Sequence, residues 1–210
     1  MSTCFTIDCR ACPRLADFLA QVRVDYPDYY ARPVPPFGDA QAWLLIVGLA
    51  PGLHGTNRSG RPFTGDHAGI LLYQTLHHFG FASQPQSVSV DDGLLLQGCR
   101  ITNAVKCLPP KNKPEPAEVR QCNAFLAAEL RTLPDNLSIL ALGAVAHAAV
   151  LMALGLTPKA HRFAHGAVHD LARGGKLYDS YHCSRYNTQT RRLTAVMFQA
   201  VFAQICADHG

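Results

Sequence analysis

Short apolar runs alternate with helix-like segments along most of this chain. Continuous apolar runs of four to eight residues are typical of strands that are buried on both faces of a parallel sheet. Such runs predict strands at residues 43–48 and 137–142, and strand-like segments with more polar residues predict two others at 100–104 and 177–181. The stretches between and after them predict helices near residues 67–80, 115–131, 144–154 and 191–207, and a further short helix begins near Pro13 and ends at about residue 21.

Strands that alternate with helices indicate an α/β fold, in which helices cover both faces of a parallel sheet. The length of 210 residues and the apolar content of 48% are typical of one globular domain, which we expect to comprise residues 1–210. The Pro-rich residues 26–37 predict a connector, because proline cannot sit in a central strand.

Residues 137–156 form a 20-residue apolar stretch that is long enough to cross a membrane. Gly143 divides this stretch, however, into a strand-like part and an Ala-rich helical part, as expected for a buried parallel strand and its helix. The N-terminal residues lack a basic segment followed by an apolar core, so we expect no secretion signal. We therefore expect a cytoplasmic protein without a membrane partner.

The glycine-rich residues 48–69 follow the first predicted strand directly. Their sequence, GLAPGLHGTNRSGRPFTGDHAG, holds six glycines, the aromatic Phe63 and the acid Asp66. Loops at the carboxyl ends of strands are where open α/β sheets bind ligands, and glycine lets the backbone approach a ligand closely. Long connections of this kind are usually functional, so this one predicts a binding site.

Eight cysteines occur in the chain, four of them in two pairs: Cys9 and Cys12 (C-x2-C), and Cys107 and Cys122 (C-x14-C). Disulfides are a poor explanation without a secretion signal. Four thiolates can instead close on one centre, and zinc and a [4Fe–4S] cluster use the same ligands. The alternative is that these are small buried side chains. Of the remaining cysteines, three are interpreted as packing residues: Cys4, Cys99 and Cys206.

Two further strand ends carry polar side chains. Asn103 lies at the end of the strand predicted at residues 100–104, where its amide suits the edge of an amide-like base, unless it only caps a turn. His182 follows the strand predicted at residues 177–181, and a histidine there can donate a hydrogen bond to charge that develops on a ligand. Most of the other nine histidines are interpreted as surface or satisfied core groups.

The net charge of +4 is mild, so a site for a polyanion must be a local patch rather than a basic surface all round. The segment after His182 offers such a patch. Arg185, Tyr186, Arg191 and Arg192 form a basic loop with an aromatic ring, as nucleic-acid contacts require.

Taken together, these segments resemble the uracil-DNA glycosylase superfamily, and most closely its iron–sulfur branch, known as type-b or family 5. The resemblance rests on the two cysteine pairs and on four motifs: GLAPGLHG (48–55), NRSGRPFTGD (57–66), TNAVKC (102–107) and HCSRYNTQTRRLT (182–194). They span nearly the whole chain in the expected order. The resemblance implies a three-layer α/β/α sandwich with a short, mainly parallel sheet. It also implies a monofunctional hydrolase that excises uracil, and often hypoxanthine or other deaminated bases, from DNA in base excision repair.

The resemblance further implies roles for matching residues. Four cysteines would hold a structural [4Fe–4S] cluster, with zinc as the less favoured occupant: Cys9, Cys12, Cys107 and Cys122. Six residues would bind the substrate: Gly48, Ala50, Pro51, Gly52, Phe63 and Asn103. Three would be catalytic: Asp66, His182 and Asn103. Four would contact DNA in a wedge loop: Ser184, Arg185, Tyr186 and Asn187. The partner would be damaged DNA, and we expect a monomer.

One departure from the family pattern lies beside His182, where this chain has Cys183 and the family commonly has proline. Loss of the proline frees the backbone next to the wedge loop, which puts its rigidity and the damage preference in doubt. Leu49 stands where other branches carry a polar residue, which fits the type-b pattern and leaves water activation to Asp66.

Two other functions compete with this interpretation. A nucleotide-binding enzyme would explain a glycine-rich loop after a strand, but G-x-G-x-x-G is absent and Pro51 lacks the backbone donor that a phosphate needs. A non-catalytic DNA-binding protein with a structural or redox-sensing metal centre would explain the cysteines. It would not explain the Phe63 and Asp66 pair, because a pure binder has no use for an acid that faces DNA.

Overall fold

The computed structural model describes residues 5–210 and centres on a six-stranded sheet. The strands are β1 (Phe37–Gly38), β2 (Leu44–Gly48), β3 (Cys99–Asn103), β4 (Ser138–Leu142), β5 (Val168–Asp170) and β6 (Lys176–Ser180). They are ordered β1-β3-β2-β4-β6-β5, with four parallel central strands and an antiparallel strand at each edge. The four predicted strands are these central ones, each correct within one residue at both ends.

Helices cover both faces of the sheet, so the predicted α/β sandwich is confirmed. They are α1 (Pro13–Asp25), α2 (Thr56–Ser59), α3 (His67–His78), α4 (Pro116–Leu130), α5 (Ala144–Leu154), α6 (Arg185–Gln189) and α7 (Ala195–His209). One apolar core joins α1, α4 and α5 to the sheet, and a second core on the opposite face joins α3 and α7 to it.

The prediction for the last helix was wrong at its start. Arg191 has a left-handed backbone (φ 56°), and α7 begins only after Thr194, whose hydroxyl accepts a hydrogen bond from the Met197 N–H at 3.2 Å. The residues before this break form the separate short helix α6, which the sequence did not predict.

The edge strands β1 and β5 were also missed, because two or three partly or fully exposed residues form no continuous apolar run. β1 directly follows the Pro-rich connector, in keeping with an edge position. The apolar residues 137–156 divide into β4 and α5 around Gly143. None of the helices within residues 5–210 is long and apolar enough to cross a membrane.

Candidate active site and four-cysteine centre

Three segments that are far apart in sequence meet in one cleft at the carboxyl ends of β2, β3 and β6. The cleft has a volume of about 500 Å³. Nine of the predicted site residues line it: Ala50, Pro51, Gly52, Phe63, Asp66, Asn103, His182, Ser184 and Arg185. Of the other candidates, Gly48 lies beneath the cleft floor, and Tyr186 and Asn187 lie outside its lining.

Asp66 lies at the start of α3, yet its carboxylate does not cap that helix. Its Oδ2 instead accepts hydrogen bonds from the backbone N–H of Thr56, at 2.9 Å, and from the Thr56 hydroxyl. Among the described residues, no group donates a hydrogen bond to Oδ1. A Cβ atom on Gly55 would lie only 2.1 Å from Oδ1, so this position has room for glycine alone. Burial raises the pKa of Asp66, and the Thr56 bonds oppose part of that rise.

Thr56 is a site residue that the sequence did not reveal. Its buried hydroxyl donates to Asp66 and accepts a hydrogen bond from the Phe63 N–H at 2.9 Å. One side chain thereby fixes the acid relative to the ring. A threonine inside a glycine-rich segment gives no signal of this role, because the bonds depend on how the loop folds back on itself.

Phe63 and Asn103 form the floor of the cleft over Gly48. Phe63 is buried in a left-handed backbone conformation (φ 58°), and Asn103 ends β3 in register with Gly48. A Cβ atom on Gly48 would lie 2.5 Å from Asn103 Oδ1 and 2.8 Å from Phe63 Cζ. Glycine at this position therefore allows a ring face and an amide to lie side by side.

His182 follows β6 by two residues and faces the ring of Phe63. The ring centroids are 5.9 Å apart, and the ring planes differ by 26°. Burial lowers the pKa of His182 to about 4. The imidazole is therefore neutral at physiological pH and can serve as a hydrogen-bond donor without carrying a charge.

The segment after His182 is folded as a short helix rather than as an open loop. The Ser184 hydroxyl accepts a hydrogen bond from the Asn187 N–H, and the Asn187 side chain donates to the His182 carbonyl at 2.8 Å. Tyr186 projects from this helix with 70% of its surface exposed. Cys183, which replaces the family's common proline, is fully buried in the core, and burial raises its thiol pKa to about 12.

The outer wall of the cleft comes from residues that were not predicted. Gly143, Ala144 and Val145 place the start of α5 against the cleft, and the first N–H groups of a helix have no partner within it. Asn112 also lines the cleft, from a left-handed backbone position (φ 55°). Neither position carries a sequence motif that marks it as part of a site.

Cys9, Cys12, Cys107 and Cys122 line one small cavity between the N-terminal segment, the stretch after β3 and α4. Burial raises the pKa of Cys12 to about 11 and also raises the pKa values of Cys107 and Cys122, with repulsion among the neighbouring thiolates adding to the rise. The backbone N–H of Lys106 donates to the Cys122 sulfur at 3.3 Å. Four thiols around one cavity, two buried and two partly exposed, fit a shared cationic centre. Cys99 and Cys206 pack in the core as predicted, and Cys4 lies outside the described residues.

The fold and the cleft agree with the protein family that sequence comparison identifies. Residues 35–206 match a family model described as the Uracil DNA glycosylase superfamily, and the chain belongs to that superfamily. Its relatives include the type-5 uracil-DNA glycosylase of Thermus thermophilus, which is 49% identical across 93% of this chain and 91% of the relative. The type-5 uracil-DNA glycosylase of Pyrobaculum aerophilum is 43% identical across 97% of this chain and 90% of the relative.

A more distant relative is the type-4 uracil-DNA glycosylase of Archaeoglobus fulgidus, which is 32% identical across 68% of this chain and 64% of the relative. The resemblance to family 5 that the sequence motifs predicted is confirmed, and so is the prediction of a glycosylase, a hydrolase of N-glycosyl bonds.

Proposed function

We propose that this protein excises uracil, and also other deaminated bases such as hypoxanthine, from DNA by rotating the nucleotide out of the duplex and hydrolysing its N-glycosidic bond. One observation carries the proposal: Phe63, Asp66, Asn103 and His182 converge on one cleft of about 500 Å³. Similarity to type-5 uracil-DNA glycosylases supports uracil as a substrate. A target base inside a duplex is unreachable, so the nucleotide must be extruded, at a cost of a few kcal/mol.

The extruded base would lie on Phe63, with its polar edge towards Asn103. Stacking of a base on an aromatic ring is worth about 1–3 kcal/mol, which offsets part of the cost of extrusion. The Asn103 amide presents a donor and an acceptor in one plane, which matches the edge of uracil. Gly48 leaves room for both side chains, and the Thr56 hydroxyl holds the Phe63 backbone through one hydrogen bond.

Breaking the N-glycosidic bond leaves positive charge on the sugar and negative charge on the departing base. Oδ1 of Asp66 would face the sugar, stabilise its positive charge and orient the attacking water, while Thr56 holds Oδ2. His182 would donate a hydrogen bond from its neutral ring to the base oxygen. A neutral donor suits this role, since its pKa of about 4 keeps it from protonating and repelling the sugar cation.

The helix α6 would enter the duplex where the base has left. Tyr186, the most exposed ring in this region, is the candidate for filling the gap, and Arg185 reaches from the same helix into the cleft lining. Asn187 supports this role by tying the helix to the His182 carbonyl at 2.8 Å. Extrusion of the base and placement of the catalytic imidazole would thereby be coupled through one short segment.

The four cysteines would hold a structural [4Fe–4S] cluster, whose contribution is to join the N-terminal segment to α4 and the stretch after β3. The same four thiolates also suit zinc, the less favoured occupant.

The test is single-turnover excision from a uracil-containing duplex, followed by alkaline cleavage of the abasic product. Asp66→Asn and His182→Ala should each lower the rate by about 10²–10³-fold, the usual cost of removing one preorganised catalytic group, with duplex binding unchanged. Asp91→Asn and His77→Ala make the same chemical changes at exposed positions and should excise normally.

Wild-type rates for both cleft variants would refute the catalytic assignments, and binding of the uracil duplex without any excision would favour the non-catalytic DNA-binding alternative. A hypoxanthine duplex assayed in parallel tests the wider substrate range. Asn103→Ala should change the ratio of the two rates more than it changes duplex binding, and a uniform loss would mark Asn103 as scaffolding.

A further inference from the structure

A second polar cluster lies outside the cleft, around Asp179 of β6. Its carboxylate is fully buried, and each oxygen faces a histidine from a different element. Nδ1 of His147, on α5, is 2.8 Å from Oδ1, and Nε2 of His169, on β5, is 3.2 Å from Oδ2. One ligand-type atom from each of the three residues lies within 4.8 Å of the other two. In the sequence, His147 is 32 positions and His169 is 10 positions from Asp179.

The hydrogen-bond partners of His147 require a proton or a cation between its ring and Asp179. Its Nε2 lies 2.9 Å from the His161 carbonyl oxygen, which can only accept, so Nε2 carries a hydrogen. A neutral imidazole with a hydrogen on Nε2 has a lone pair on Nδ1, and that atom faces the Asp179 carboxylate. Two acceptors cannot lie 2.8 Å apart unless a proton or a metal ion lies between them.

The geometry also matches a metal site. A metal-bound histidine almost always donates its other ring N–H to a carbonyl or carboxylate, as His147 does to His161. Histidine nitrogens and carboxylate oxygens bind zinc at about 2.0–2.2 Å, which places neighbouring ligand atoms about 3.3 Å apart in a tetrahedron. The contact of 3.2 Å between His169 and Oδ2 of Asp179 is close to that value, and the contact of 2.8 Å between His147 and Oδ1 would lengthen by about 0.5 Å on ion binding. His169 retains 13% exposure, which gives an ion a route from solvent.

We propose that His147, His169 and Asp179 form a binding site for a divalent transition-metal ion of the zinc type, separate from the four-cysteine centre. The site lies behind the cleft rather than in it. His147 is four residues beyond Gly143 on α5, and Asp179 is three residues before His182. The Gly143 N–H already donates to the Ser180 carbonyl at 2.8 Å between these elements. A bound ion would cross-link the helix and the strand that form two walls of the cleft.

The test uses purified protein whose four-cysteine centre is filled, dialysed against Zn²⁺ and analysed for metal content. Wild type should bind one zinc ion per chain more than His169→Gln, whose histidine lies on a partly exposed edge strand. At a zinc concentration of about 100 times Kd, the wild-type Tm should rise by about 5–10 °C, and His169→Gln should lose most of this rise. His77→Gln removes an exposed histidine on α3 and should behave as wild type.

A second measurement needs no variant. Zinc should shift the ¹⁵N resonances of the ring nitrogens of His147 and His169 in the wild-type protein, while those of His77 stay in place. Equal zinc content and equal Tm shifts in wild type and His169→Gln would overturn the proposal. So would unchanged His147 and His169 resonances at saturating zinc, which would leave a proton as the charge between His147 and Asp179.

Discussion

Asp66 and Asp179 are both buried carboxylates, and they differ in what surrounds their oxygens. Asp66 takes two hydrogen bonds from Thr56 on one oxygen, and its other oxygen accepts no bond from the described residues. Asp179 has a histidine against each oxygen. Burial raises the pKa of both carboxyl groups. The Thr56 hydrogen bonds and the Arg58 charge oppose the rise at Asp66, and the two histidines oppose it at Asp179. Burial depth therefore does not distinguish the proposed catalytic acid, Asp66, from Asp179; the difference is that one oxygen of Asp66 has no hydrogen-bond donor among residues 5–210.

Their positions on the backbone explain this difference. Asp179 lies within β6, where neighbouring elements can surround it on all sides. Asp66 lies at the residue before α3, where an aspartate normally caps its own helix. Thr56 holds the carboxylate away from that helix and towards the cleft. We infer that the helix gives up a stabilising cap in favour of an acid directed at the substrate.

If Asp179 is structural and Asp66 chemical, then Asp179→Asn should reduce stability while sparing catalysis. Removing one partner of a buried charged pair costs about 3–5 kcal/mol, because the other is left uncompensated. Thermal unfolding should show this loss, and single-turnover excision at a temperature where the variant stays folded should remain within a few-fold of wild type. Asp66→Asn, measured alongside, should keep its thermal stability and lose most of its excision rate. A large rate loss in folded Asp179→Asn would erase the distinction between the two acids.

A smaller effect should follow from Thr56→Val, which keeps the shape of the side chain and removes its hydroxyl. Loss of a bond that favours the charged form raises the pKa of Asp66 further. The carboxylate is needed ionised, so activity is present above this pKa and lost as the pH falls through it. The acid limb of the pH–rate profile should therefore move to higher pH in the variant, with a rate loss of about 10-fold near neutrality.

Thr56→Ser restores the hydroxyl and should return the acid limb to its wild-type position. The pH–rate profile near neutrality offers a second check. Because the pKa of His182 is about 4, its titration should produce no change in rate between about pH 6 and 8. Coincident acid limbs in Thr56→Val and wild type would show that Thr56 does not tune Asp66.

The smallest effect should come from a residue outside both carboxylate environments. Tyr186→Ala removes an exposed ring that would act only while a base is extruded from a duplex. Excision from duplex DNA should fall by about 3–10-fold, in keeping with about 1 kcal/mol of lost stacking, while excision from single-stranded DNA stays the same. An equal loss on both substrates would assign Tyr186 to general DNA binding.

The sequence predicted the parts of this structure that local pattern controls. Two central strands, β2 and β4, are continuous apolar runs, and the polar residues Asn103 and His182 lie at or just beyond the ends of β3 and β6. The role of Thr56 was not predicted, because it depends on how the loop folds back to bring Thr56 against Asp66, 10 residues away. His147 was interpreted as a surface or core group. It is buried, but its contact with Asp179 spans 32 residues and depends on how α5 packs beside β6.

The absence of a side chain at Gly48 has a practical consequence for any attempt to change which damaged base the protein excises. Any added carbon there would collide with both the ring and the amide that form the floor, so the floor can change only as a unit. Libraries aimed at larger or differently substituted bases are therefore better directed at Asn112 and Val145. These two residues line the same cavity and make no hydrogen bond to Asp66 or His182.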